Sequence, residues 1–496
     1  MMLRRAGIFN FLLIAFFTMQ GCSSSADPKP VTPPVDVEFA VGNVLQSNMV
    51  LQRDKPVNIW GRASAGVTVN VAVSWNSEKF NALTDDGGNW KVVIPAAPAN
   101  INPQTITINP AGKDTVTLNN ILIGDVWICS GQSNMTMPLA PGYNGSFRGV
   151  IDYEKEIAAA NYPLIRELTV KPNSQESPVT TLTDPQTWNV CSPATAGNIS
   201  AVAFYFARKL QAETNVPVGI IIASVNGTRC QLWANTEVFD DSEIRSSYGG
   251  GGSPSATLYN GMINPLINLG IKGFLWYQGE SNWGDDPAFY VKLNAGMIKG
   301  WRNKFNQGIL PFYYVELAPF AKNHNTEPGG GDLTLYDYAQ FREEQKNIAT
   351  LVPQAGMALT MDVGEVLGLH PRNKKPIGER LALFALKNDY GKPVDPFGPT
   401  YKSYSQSGRL VTIKFNNATN LATAGGLPLN QHFYVAGDSR VFINAPAVIK
   451  GNTIVLTVPD GVETVKAVRY AFTNAAVTNL QNASGIPVDQ FRTDKW

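Results

Sequence analysis

The central part of the chain alternates short apolar runs with segments whose apolar residues recur at helical spacing. The apolar runs predict five buried strands, at residues 126–129, 216–223, 273–277, 312–317 and 357–362. Between most of them, apolar positions three or four residues apart predict crossover helices. Strands joined by helices favour a parallel sheet covered on both faces. We therefore predict an α/β fold in which a five-stranded parallel sheet lies between two layers of helices.

The flanking parts of the chain show the two-residue period of β-strands. Residues 37–120 contain short alternating runs separated by turn sequences, which predict an N-terminal β-sandwich domain. Residues 395–496 return to alternating and apolar runs and predict a C-terminal β region. The α/β domain then occupies residues 121–394. Within it, residues 136–196 are rich in Pro, Asn and Thr and predict a long irregular segment, which is often functional.

The first residues predict an export signal. Two arginines precede an apolar run at residues 8–17, which is too short to span a membrane. The small residue before Cys22 predicts cleavage there and lipidation of that cysteine, with ordinary signal cleavage as the alternative. Residues 1–21 are then the signal peptide, and the proline-rich residues 22–36 are a tether. We expect an exported protein, periplasmic or anchored to the outer membrane through the lipid alone.

Composition excludes several classes of function. The 496 residues carry a formal net charge of +1 and no basic stripe, so we expect no nucleic-acid partner. After Cys22, only Cys129, Cys191 and Cys230 remain, and no Cys-x-x-Cys spacing suggests zinc. We predict buried free thiols, with one disulfide as the alternative, and no metal site.

A serine at the end of the first predicted strand is the candidate nucleophile. Ser133 lies in the sequence Ser-Gly-Gln-Ser-Asn, where Gly131 permits a sharp turn at the edge of the sheet. A serine nucleophile needs a base, which is usually a histidine at neutral pH. His370 lies between the fifth strand and the last helix, where a loop can reach this edge. His324 lies in a polar loop and His432 in the C-terminal β region, so His370 is the best-placed candidate for the base, with an ordinary structural histidine as the alternative.

Two residues after the next strands could stabilise an oxyanion. Gly227 and Asn282 follow the second and third strands, and a backbone or side-chain amide at either position can donate a hydrogen bond. The alternative is that both are ordinary turn residues.

Three motifs give the chain a specific resemblance. Gly124-Asp-Val-Trp with Gly-Gln-Ser-Asn-Met135, Trp276-Tyr-Gln-Gly-Glu-Ser-Asn282, and Leu369-His-Pro-Arg-Asn-Lys occur in this order. They resemble bacterial sialate O-acetylesterases of the SGNH hydrolase superfamily, which are related to acetylxylan esterases. The similarity runs from about Gly42 to Asp494. It implies an SGNH-type core with Ser133 as nucleophile and oxyanion donor, Gly227 and Asn282 completing the oxyanion hole, and His370 as the base.

The acid that orients His370 is open among three carboxylates. Many relatives carry an aspartate shortly before this histidine, whereas the chain has Leu367-Gly-Leu369. Asp362 comes first, because it ends the fifth predicted strand on the same sheet edge as Ser133. Glu280 comes second, because related acetylesterases suggest that this glutamate can serve as the acid. Glu365, nearer in sequence but on the loop, comes third.

The resemblance implies a carbohydrate O-acetylesterase. We expect it to remove acetyl groups from sialic acids through an acetyl-serine intermediate and without a cofactor. Acetylated xylan or pectin is the alternative substrate. A carbohydrate-binding surface lipoprotein with an inactive hydrolase core, and a lipase or thioesterase, are the rival functions. The combination of Ser133, His370 and Asn282 argues against the first rival, and polar loops without an apolar lid argue against the second.

Overall fold

The structure, a computed structural model, describes most of the chain. It covers residues 37–142, 145–184, 187–248, 255–321 and 336–496. The predicted signal peptide, the tether with Cys22, and His324 lie outside these ranges. Across them, no helix is both long enough and apolar enough to cross a membrane.

The described residues form short strands and eight α-helices, with a few single turns of 3₁₀- or π-helix. The strands are β1 Ala40–Val41, β2 Val50–Gln52, β3 Val57–Arg62, β4 Thr68–Val73, β5 Asn76–Leu83, β6 Asn89–Ile94, β7 Asn100–Pro110, β8 Val116–Gly131, β9 Pro141–Gly142, β10 Phe147–Arg148, β11 Tyr162–Thr169, β12 Asn189–Cys191, β13 Val218–Ser224, β14 Gly273–Tyr277, β15 Phe312–Val315, β16 Ala355–Ala358, β17 Thr400–Ser407, β18 Leu410–Asn416, β19 Ala422–Thr423, β20 Phe433–Ala436, β21 Ile443–Asn444, β22 Ala447–Lys450, β23 Thr453–Thr457, β24 Ala467–Tyr470, β25 Leu480–Gln481 and β26 Phe491–Arg492. The helices are α1 Ser133–Thr136, α2 Tyr153–Ala158, α3 Ala201–Thr214, α4 Ser242–Tyr248, α5 Pro287–Phe305, α6 Asp337–Gln345, α7 Ile348–Leu351 and α8 Lys375–Tyr390.

One long strand, β8, connects two differently built parts of the largest sheet. Its residues 125–131 pair in parallel with β13, and residues 127–131 pair in parallel with β14. Its first half pairs antiparallel with β7 instead, so the complete sheet is mixed. The domain boundary predicted between residues 120 and 121 falls inside this strand, and the division into domains stays a prediction.

The parallel part of the sheet has more strands than the sequence predicted. The order β11-β13-β8-β14-β15-β16 contains all five predicted strands and a sixth, β11, with β12 antiparallel at the edge. The prediction of five strands was wrong because β11 lies within the segment predicted to be irregular. Arg166 and Glu167 interrupt its apolar pattern, although each is only 4% exposed.

Helices cover both faces of the parallel strands. Side chains alternate along β8, so that Ile128 packs in one apolar cluster with residues of α5, and Trp127 packs in the other with residues of α3 and α8. Local signals begin these helices: Ser200 accepts a hydrogen bond from the third residue of α3, and Asp286 caps α5, whose first residue is proline. The parallel strands thus lie between two helical layers.

The flanking regions are β-rich, as the alternating patterns predict. The N-terminal sheet β1-β3-β6 packs into the same apolar cluster as β4 and β7. The C-terminal region contains two four-stranded sheets, β17-β18-β23-β22 and β21-β20-β24-β26, with an apolar cluster of their own. Cys129, Cys191 and Cys230 are buried free thiols, which agrees with the first of the two alternatives considered for them.

Candidate active site

A glycine determines where β8 ends. Gly131 has φ +136°, and a Cβ at this position would lie 2.1 Å from the carbonyl oxygen of Tyr277 on the neighbouring strand β14. Only glycine fits such a close approach without strain. The next residue, Gln132, donates its backbone N–H to the same carbonyl at 3.0 Å. The chain therefore turns sharply and places Ser133 at the carboxyl edge of the parallel strands.

Ser133 and His370 form the central contact of the site. His370 Nε2 lies 2.8 Å from Ser133 Oγ, although 237 residues separate them in the sequence. Ser133 is 5% exposed and begins the single turn α1. The ring of Phe147 packs edge-on against the imidazole, with the ring centroids 5.1 Å apart. A neutral imidazole at this distance can accept the hydroxyl proton.

The surroundings of His370 keep its imidazole neutral. Burial, and after it the positive charge of Lys374, lower the pKa of His370 to about 4, against a hydrogen bond to the backbone of Ser146 that raises it. Since Nε2 faces Ser133, Nδ1 is the nitrogen that donates to the Ser146 carbonyl. Within the described residues, no side-chain carboxylate forms a hydrogen bond with the imidazole.

Asp362, the first-ranked acid, is engaged elsewhere. Its carboxylate forms a two-pronged ion pair with Arg380, at 2.7 Å from Nη1 and 2.6 Å from Nη2. Arg380 also donates to the carbonyls of Leu359 and Gly485, which joins α8 to the C-terminal region. Strand β16 ends at Ala358, so Asp362 does not end it as predicted. The structure thus places Asp362 in a structural ion pair.

The other two candidate acids also contact groups other than His370. Glu365 pairs with Arg148 and accepts the backbone N–H of Arg372 at 2.7 Å. Glu280 accepts a hydrogen bond from the side chain of Asn134, and burial raises the pKa of its carboxyl group. Glu280 is thus beside the serine motif, but its side-chain hydrogen bond is with the asparagine that follows Ser133.

Gly227 and Asn282 differ in what they can donate. Gly227 follows β13 with φ +68°, and within the described residues its N–H and that of Ser133 have no hydrogen-bond partner. Asn282 is fully buried, and its amide donates to Asp285 at 2.7 Å and to Gln231 at 3.3 Å. The amide of Asn282 is therefore engaged by Asp285 and Gln231, while the two backbone amides are free to bind an oxyanion.

The sequence reasoning missed two residues that the structure places beside Ser133. Asn134 accepts a hydrogen bond from Nζ of Lys374 at 2.5 Å, and both side chains are buried. Each of them lies inside one of the three motifs that carry the family resemblance, so the sequence did contain a signal for both. Motif membership alone does not show which neighbours a side chain contacts.

A cavity lies beside His370. It has a volume of about 270 Å³, and its lining residues are Ser146, Arg148, Glu365, Leu367, Gly368, Leu369 and His370. His432, the other described histidine, contacts the carbonyl of Val477 in the C-terminal region instead. Within the described ranges, no group of three His, Cys, Asp or Glu side chains could hold a metal.

Comparisons with known proteins indicate a similarity to carbohydrate acetylesterases. The family described as carbohydrate esterase, sialic acid-specific acetylesterase matches residues 123–382. The sialate O-acetylesterase of Rattus norvegicus is 26% identical, over 88% of this chain and 90% of that protein; its Homo sapiens counterpart is 28% identical, over 72% of each. A crystal structure of a carbohydrate acetylesterase from Xanthomonas citri is 32% identical, with a TM-score of 0.79, over 92% of this chain and 100% of that one.

The ion pair of Asp362 predicts a stability defect for Asp362→Asn. Removing the negative charge leaves the buried Arg380 uncompensated, so the free energy of unfolding should fall by roughly 1–3 kcal/mol, measured by urea denaturation. The kcat for nitrophenyl acetate should stay within about threefold. Asp460→Asn is the matched control, because its ion pair with Arg409 is exposed and contributes little. A large loss of kcat at unchanged stability would instead restore Asp362 as the orienting acid.

Proposed function

We propose that the chain, which belongs to the carbohydrate esterase family of sialic acid-specific acetylesterases, removes O-acetyl groups from sialic acids. The proposed reaction passes through an acetyl-serine intermediate. The chain is an esterase, and the family's substrates are acetylated carbohydrates. The observation that carries the mechanism is the 2.8 Å contact between Ser133 Oγ and His370 Nε2.

The first half of the reaction acylates the enzyme. Ser133 Oγ attacks the acetyl carbonyl carbon while His370 Nε2 takes the hydroxyl proton. The resulting oxyanion receives hydrogen bonds from the backbone amides of Ser133 and Gly227. When the tetrahedral intermediate collapses, the bond to the sugar oxygen breaks, and His370 donates its proton to the departing alcohol.

The second half releases acetate. A water molecule attacks the acetyl-serine carbonyl, and His370 takes one of its protons. Collapse of the second tetrahedral intermediate breaks the bond to Ser133 Oγ, which regains the proton from His370. In this proposal the backbone of Ser146, and not a carboxylate, holds the imidazole in the tautomer that leaves Nε2 unprotonated.

The lining of the cavity beside His370 favours a sugar substrate that carries a carboxylate. Arg148 lines it with a side chain that is 58% exposed, and its Nη2 pairs with Glu365. Within the described residues, Nε and Nη1 of Arg148 have no hydrogen-bond partner. A sialic acid carboxylate could bind these groups, whereas a neutral xylose residue offers only hydroxyls.

Replacing the nucleophile tests the mechanism. Ser133→Ala should fold normally and lower kcat by roughly 10³-fold or more, because no other oxygen replaces Oγ. A fluorophosphonate probe should label the wild type at Ser133 and leave the folded variant unlabelled, as read by mass spectrometry. The neighbouring Ser130→Ala is the matched control, since Ser130 is buried in the preceding strand. Comparable acetate release by wild type and Ser133→Ala would refute the serine mechanism.

Substrate specificity is tested on a panel of O-acetylated sialic acids, xylan and pectin. We expect acetate release to be fastest from the sialic acids. Arg148→Gln should raise KM for them by about tenfold, the loss of one charge-assisted contact, and leave KM for acetylated xylan unchanged. If xylan or pectin is deacetylated and sialic acids are not, the plant polysaccharide becomes the substrate. An inactive preparation that binds glycans would point to the carbohydrate-binding rival.

Location is also a proposal, because Cys22 lies outside the described residues. We propose that the mature chain is lipidated at Cys22 and anchored to the outer membrane. In the native host, Cys22→Ala should move the protein from the membrane fraction to the soluble fraction. Mass spectrometry that finds an unlipidated N-terminus at another residue would contradict the anchor.

A further inference from the structure

One buried amide links the turn of the proposed nucleophile to the loop of the proposed base. Asn134 is 1% exposed, and its Nδ2 donates to the carbonyl of Leu369 at 3.1 Å and to Glu280 Oε1. Its Oδ1 accepts from Lys374 Nζ at 2.5 Å. The amide thus contacts three separate segments: the loop after β14, the loop that carries the histidine, and the residue that precedes α8.

The three partners permit only one orientation of the amide. An asparagine presents two donors on its nitrogen and acceptors on its oxygen. Leu369 and Glu280 offer oxygen acceptors on one side, and the ammonium of Lys374 offers a donor on the other. A rotation of the amide by 180° would put Oδ1 against two oxygens and Nδ2 against a cation. Lys374 therefore supplies the only one of the three contacts that engages Oδ1, and it favours the same orientation of Asn134 as the two acceptors do.

Burial of the Lys374 side chain at this position costs free energy. Its side chain is fully buried, and its Nζ lies 5.0 Å from the centroid of the Tyr277 ring. The negative groups that act on it are Glu280 and Glu365, and burial lowers its pKa to about 7. The second oxygen of Glu280 is buried without a partner in the described residues. Burial of an ammonium costs free energy that an apolar side chain of similar length would avoid.

We propose that Lys374 is a positioning residue of the esterase reaction. It acts through Asn134 to hold Leu369, and with it His370, at hydrogen-bond distance from Ser133. The inference rests on the Ser133–His370 chemistry of the proposed function. Misplacement of a reacting group by about 1 Å can cost about 10² in rate, so a remote clamp of this kind affects kcat.

The charge of Lys374 has a second consequence for His370. Below about pH 7 Lys374 is charged, and this charge opposes formation of the imidazolium and lowers the pKa of His370. Removing the charge should raise the pKa of His370, so that the base becomes protonated at a higher pH. The acidic limb of the kcat/KM profile should then move to higher pH. A purely structural defect would lower the rate without moving this limb.

Lys374→Met tests the proposal, with nitrophenyl acetate as substrate. We expect kcat to fall about 10²-fold, KM to stay within about threefold, and the acidic limb to move to higher pH. Lys375→Met is the matched control, since Lys375 is exposed and adjacent, and its kinetics should equal those of the wild type. Asn134→Asp keeps an acceptor for Lys374 but loses the donor to Leu369, so its kcat should also fall. Circular dichroism and thermal melting check that each variant folds.

The outcomes separate this inference from the proposed function. A folded Lys374→Met protein with near-normal kcat and an unshifted acidic limb overturns the positioning role. If Lys374→Met does not fold, Asn134→Asp decides, and near-normal kcat in that variant overturns the role equally. Ser133→Ala is assayed in parallel. Full activity of Ser133→Ala refutes the serine mechanism itself. If Ser133→Ala is inactive while Lys374→Met and Asn134→Asp keep near-normal kcat, only the role of Lys374 is refuted.

Discussion

The close approach of Gly131 to the carbonyl of Tyr277 is the constraint on which the arrangement of the site depends. No side chain fits between the two backbones, because a Cβ would lie 2.1 Å from that oxygen. Strands β8 and β14 therefore end side by side, and their loops begin at the same point. Gln278 then donates to the side chain of Gln132 at 3.1 Å, which ties the two loops together. The serine turn and the Gln-Gly-Glu-Ser loop form one unit, and the loop of His370 closes over it.

The sequence was sufficient for features that depend on local pattern. Apolar runs located the strands β8, β13, β14, β15 and β16, and helical spacing located the helices between them. The scarcity of histidine singled out His370, and the order of strands implied that its loop could reach Ser133. Parallel strands bring their carboxyl ends to one edge, so these predictions need no knowledge of individual contacts.

The sequence was insufficient where distant groups compete for one partner. Asp362 was ranked first as the orienting acid, but Arg380, eighteen residues later, forms an ion pair with it. Asn282 was assigned to the oxyanion hole, but Asp285 and Gln231 occupy its amide. Strand β11 was missed because charged residues that are buried in the fold look exposed in the sequence. In each case the decisive contact depends on the three-dimensional neighbours of the group.

The hydrogen bond between His370 and the backbone of Ser146 does not depend on the side chain at position 146. A carboxylate in this position could be neutralised by acid or removed by one substitution, but every residue carries a peptide carbonyl, which does not titrate as a carboxylate does. The orientation of the imidazole thus depends on the path of the backbone at Ser146, just before β10, and not on the identity of that residue. Position 146 should therefore tolerate exchanges of residue type far better than a shift of the backbone that moves this carbonyl away from His370. Natural variation here must preserve the position of the main-chain carbonyl at residue 146 relative to the imidazole of His370.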